Sequence, residues 1–78
     1  MTSANSDTAN GHYLVGDIGG TNARFAYIEP GSVMPTPLAK YRVADFANFE
    51  KVLEQLIGDW RNQGLPESGP SHTCLAVA

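Results

Sequence analysis

The stretch Gly16-Asp17-Ile18-Gly19-Gly20-Thr21-Asn22-Ala23-Arg24 constrains this chain more than any other. An apolar run, Tyr13-Leu14-Val15, leads into it, and a second, Phe25-Ala26-Tyr27-Ile28, leads out. Apolar run, glycine-rich turn, apolar run predicts two antiparallel strands, roughly Tyr13–Ile18 and Ala23–Glu29, joined by a tight loop. Gly19 and Gly20 permit positive φ without a Cβ penalty and let a ligand lie against the backbone. Thr21 and Asn22 add a hydroxyl and an amide at the tip, a setting suited to phosphate oxygens. Asp17 is the odd residue: a carboxylate within an apolar strand is costly to bury unless a cation or donors meet it. A magnesium ion carried by a nucleotide is one such cation, since Mg²⁺ favours carboxylates together with phosphate oxygens. The plain alternative is a glycine-rich hairpin whose Asp17 faces solvent near a strand end.

Two other phosphate loops are excluded. The P-loop pattern requires Lys-Ser or Lys-Thr after its glycines, and none follows here. The dinucleotide fingerprint requires G-x-G-x-x-G entering a helix, whereas this stretch reads G-x-x-G-G and enters a strand. Over Leu14–Ala26, LVGDIGGTNARFA resembles the opening of the bacterial glucokinases, within the superfamily of sugar kinases and actin-like ATPases. The resemblance is close over those residues, and beyond them only the order of elements agrees. It implies that a hairpin of pattern D-x-G-G-T holds the ATP phosphates. Gly16, Asp17, Ile18, Gly19, Gly20, Thr21 and Asn22 would form the nucleotide clamp, with backbone donors from Gly19, Gly20 and Thr21. Asp17 would hold magnesium through water. Arg24 either reaches the phosphates or is a surface charge.

The remainder reads as one small α/β unit. Seventy-eight residues allow at most one small domain. Hydrophobic content of 42% against 17% charged marks a globular chain. Residues 1–11 are small and polar, lack the basic start and apolar core of a signal peptide, and read as a flexible tail. No run approaches the ~20 apolar residues of a membrane span. The net charge is −3, and the five basic residues are spread along the chain, which argues against nucleic acid or an acidic membrane as partner.

Pro30-Gly31-Ser32 predicts a turn, and Pro35 and Pro37 an extended connection into a third strand, Leu38–Val43. Lys40 and Arg42 there read as guards of an edge strand. Asp45 is the expected N-cap of a helix over Phe46–Gln63. Phe46, Phe49, Val52, Leu53, Leu56, Ile57 and Trp60 recur at helical spacing as its core face. Gly64 is the expected residue just past its end, and Pro66 blocks continuation. Thr73–Ala78 reads as a buried strand with Cys74 as a buried, inert thiol. His12 and His72 carry no assigned role.

The expected sheet order is third, second, first, fourth, with the last strand parallel to the first. The resemblance identifies this as the start of a ribonuclease-H-like domain, strand-strand-strand-helix-strand and incomplete. Residues 12–78 would be the N-terminal portion of a truncated nucleotide-binding kinase domain. It further implies a cytoplasmic enzyme that phosphorylates glucose from ATP, homo-oligomeric at full length. The catalytic base and sugar-binding residues would lie outside this chain, leaving it inactive alone. Another sugar kinase or ATPase of the superfamily, or an inactive binding module, are the competing readings.

Overall fold

A computed structural model describes residues 11–77; the expected tail, apart from Gly11, and Ala78 lie outside the described residues. Four strands form one mixed sheet: β1 (Tyr13–Ile18), β2 (Asn22–Ile28), β3 (Thr36–Arg42) and β4 (His72–Val77), in the order β3-β2-β1-β4. β1 and β2 pair antiparallel, as do β2 and β3, and β4 runs parallel to β1. This is the expected order and orientation.

Side-chain alternation decides what each face does. Leu14, Ala23, Phe25 and Tyr41 point to one side and are buried there. Helix α1 (Phe49–Asn62) covers that side with Val52, Leu56 and Trp60, all buried. Burying side chains of this size contributes about 1.5–3 kcal/mol each. Asp17, Arg24 and Lys40 point to the other side, which no helix among the described residues covers.

The helix is narrower in its buried stripe and starts later than the sequence suggests. Only the i, i+4, i+8 set is buried; Phe49 is 42% and Ile57 53% exposed, because α1 lies toward β3 and leaves the β4 side uncovered. Val43–Asp45 form a 3₁₀ turn, so Asp45 does not cap α1. Phe46 is extended and packs edge-on against Tyr41 at 5.6 Å between centroids. Asn48 is the N-cap, its side-chain oxygen accepting the Lys51 N–H at 3.1 Å. At the other end Gly64 has φ +76°, as expected of a residue past a helix terminus. Its N–H reaches Arg61 O at 2.9 Å while Leu65 N–H reaches Trp60 O at 3.3 Å, a Schellman closure.

Two differences concern the edges. β3 begins at Thr36 rather than Leu38, and a bulge opposite Phe25/Ala26 absorbs Leu38 as Pro37 enters the strand without an N–H to donate. β4, expected to be buried, is exposed at every residue, Cys74 included. It pairs only with β1 and lies beyond the reach of α1, so an apolar sequence here does not mean a covered strand.

The helix is fastened to the sheet at Tyr41, whose hydroxyl donates to the Asp59 carboxylate. Burial first, then that hydrogen bond and the negative charge of Asp59, push the phenol above its ordinary value. The folded state therefore keeps the proton longer than the unfolded chain. Its contribution to stability is complete below the usual phenol value of about 10 and is lost as pH rises past it, because the unfolded state ionises first. Urea unfolding between pH 8 and 11 should show this alkaline loss, reduced in Tyr41→Phe; an identical loss in the variant would contradict the assignment.

Candidate functional site

The β1–β2 hairpin turns through Gly19, Gly20 and Thr21. Gly19 N–H donates to Asn22 O at 2.9 Å, closing the loop, and Val43 N–H donates to Thr21 O at 2.9 Å. The tip is thus braced from the 3₁₀ turn. Among the described residues neither the Gly20 nor the Thr21 N–H has a protein acceptor. Two unpaired backbone donors at a turn are what an anion requires.

Asp17, Gly19, Gly20, Thr21, Asn22 and Arg24 line a concavity of about 370 Å³ at this tip. Five of the seven sequence-predicted site residues are therefore brought together. Gly16 and Ile18 stand apart from it. Ile18 packs against the core on the helix side. Gly16 leaves room for its neighbours: a Cβ there would meet Phe25 Cδ1 and Cε1 at 2.8 Å and Leu75 Cδ2 at 2.7 Å.

The tip glycines differ from the expectation in an informative way. Neither Gly19 nor Gly20 adopts positive φ, so the turn itself does not demand glycine. A Cβ on Gly20 would meet nothing within 4 Å, and one on Gly19 only Asn22 O at 3.6 Å, an ordinary contact. What the two glycines provide is a bare backbone surface open to an approaching group.

Asp17 is exposed and, among the described residues, its carboxylate forms no ion pair or hydrogen bond. Its cross-strand partner is Arg24, yet the two are not within salt-bridge distance. No group of three His, Cys, Asp or Glu side chains among the described residues is placed to hold a metal. One free carboxylate suits a divalent ion only if other oxygens arrive with it, as the phosphates and waters of a nucleotide complex do.

Arg24 is the residue that sequence reasoning left undecided. It lines the tip concavity and also a larger one of about 670 Å³ on the open face, floored by Val15, Ala26, Pro35 and Pro37. The loop length carried the missing signal. The four residues from Gly19 to Asn22 between Ile18 and Ala23 set these two opposite each other, hence Asp17 opposite Arg24.

A family model for glucokinase matches residues 14–78. The glucokinase of Marinobacter nauticus is 35% identical over 71 residues, covering 91% of this chain and 21% of that protein. Those of Sinorhizobium fredii and Rhizobium meliloti are 43% identical over 54 residues and 48% over 46, covering 69% and 59% of this chain. The chain spans 14–21% of the length of these relatives. No solved structure gives a significant match.

The different duties of the glycines can be measured by urea unfolding. Gly16→Ala should destabilise by about 1–3 kcal/mol, since a buried ring must move. Gly20→Ala should leave stability unchanged or raise it by up to about 1 kcal/mol. A larger loss at Gly20 than at Gly16 would reverse the assignment.

Proposed function

The chain belongs to the glucokinase family, and on that premise we propose that its β1–β2 tip binds the phosphates of ATP for transfer to the 6-hydroxyl of glucose. The observation that carries this reading is the combination at the tip of two unpaired N–H donors, a backbone surface free of side chains, and an unpaired carboxylate. Gly16, Asp17, Ile18, Gly19, Gly20, Thr21 and Asn22 make up the proposed nucleotide-binding segment. Within it, Gly20 and Thr21 N–H groups bind phosphate oxygens, with the Thr21 hydroxyl and Asn22 amide beside them. Gly16 and Ile18 act by packing, holding β1 against Phe25 and the helix. Asp17 is the proposed magnesium residue, acting through bound water, and Arg24 faces the same concavity with opposite charge.

Bound magnesium would neutralise charge on the phosphates during transfer. The residues of this chain supply orientation and electrostatic complementarity; the base that takes the proton from the sugar hydroxyl is assigned to polypeptide beyond residues 12–78. In this proposal those residues are the N-terminal portion of a ribonuclease-H-like nucleotide-binding domain in a cytoplasmic, homo-oligomeric enzyme. Support comes from the mixed sheet with its parallel β1–β4 pair and from the much greater length of the matched relatives. No helix among the described residues is long and apolar enough to cross a membrane.

A second acceptor class remains consistent with the same tip, which meets phosphates and contains no sugar-reading element. Steady-state kinetics of the full-length protein with a panel of hexoses separates the two, and a preferred acceptor other than glucose would overturn the narrower reading. In the same protein Asp17→Ala should lower kcat/KM for MgATP at least about tenfold, equivalent to some 1.4 kcal/mol of transition-state stabilisation. Unchanged turnover would remove the metal role from Asp17.

A further inference from the structure

We propose that Lys40, on the edge strand β3, is a phosphate-contact residue that extends the hairpin site into a track across the open face of the sheet; this rests on the reading that the tip holds a polyphosphate. The five basic residues are dispersed in sequence, but the fold gathers three of them. Arg24 is the direct cross-strand partner of both Asp17 on β1 and Lys40 on β3. Arg42, two residues along β3, stands opposite Asn22. Directly paired residues share a face, so Asp17, Arg24 and Lys40 form one row over three strands.

Two like charges placed directly opposite on adjacent strands destabilise the sheet unless an anion lies between or above them. No protein anion does so among the described residues. The ion pair present there is Lys51–Glu54, on the helix, and Asp17 is the one carboxylate lining the open-face concavity that Arg24 and Lys40 also line. The row therefore carries a local excess of positive charge in a chain whose net charge is −3. With strands about 4.8 Å apart, the row is about 10 Å long, comparable with a triphosphate. Asp17 marks one end, beside the tip donors, and Lys40 the other.

Guarding the sheet edge is the simpler role for a lysine on β3. That duty is already met there by Pro37 and the bulge it accompanies, neither of which needs a cation opposite Arg24. Guarding gives a lysine reason to be on the edge, but not to face a second cation at the border of a concavity.

The test is metal-free isothermal titration of the full-length protein with sodium tripolyphosphate, ATP and AMP. Lys40→Gln should weaken tripolyphosphate and ATP about tenfold, leave AMP unchanged, and lose less as salt is raised. Lys40→Arg should keep wild-type affinity. If Lys40→Gln binds tripolyphosphate as wild type does while Gly20→Ala weakens it, the role of Lys40 is overturned and the hairpin reading stands. If Gly20→Ala also binds as wild type, the hairpin reading fails and the track fails with it. A change in self-association of Lys40→Gln without a change in these affinities would establish the guarding role instead.

Discussion

The register of β1 on β2 is the constraint on which the rest depends. Side chains alternate with period two, so a slip of β2 by one residue would send Phe25 and Ala23 into solvent and turn Arg24 toward the core, off the face that Asp17 occupies. Burial fixes the choice. Ala23 is 0% and Phe25 3% exposed, and the Phe25 ring occupies the space that Gly16 leaves over β1. One packing event, an aromatic ring against a glycine, thereby decides the length of the turn, the position of the tip donors and the face on which the charges stand. The hydrogen bond from Val43 to Thr21 then ties that tip to the 3₁₀ turn before the helix.

Glycine has three separate meanings in this small fold. At Gly16 it is a void filled by neighbours, and at Gly31 and Gly64 it is a backbone of positive φ, in a turn and just beyond a helix. At Gly19 and Gly20 neither reason applies. A glycine that the fold does not need, at a turn with unpaired donors, is accounted for in the proposed function by a group that approaches the bare backbone. The motif is therefore best understood as a surface kept free of side chains rather than as a strained turn.

Most of the fold was legible in the sequence because local signals and global packing agree: three strands joined by glycine and proline turns, one amphipathic helix closed by Gly64, and a fourth strand. The departures have physical causes. Asp45 and Asn48 are both good caps, and only the extended backbone at Phe46 selects the second. Thr73 through Val77 is apolar enough to be buried, but burial depends on what lies over a strand, and α1 lies elsewhere. In the candidate site the glycines and Asp17 were visible from spacing. The row from Asp17 through Arg24 to Lys40 was not, since cross-strand neighbours are revealed only once loop length and register are counted together.

In the proposed function the tip amides receive phosphate. Following backbone amide resonances of the ¹⁵N-labelled full-length protein during titration with MgATP tests it directly. The amides of Gly20 and Thr21 should shift most, with Gly19 and Asn22 next, while amides along α1 stay in place. Saturable MgATP binding with the amides of residues 19–22 unmoved would contradict it.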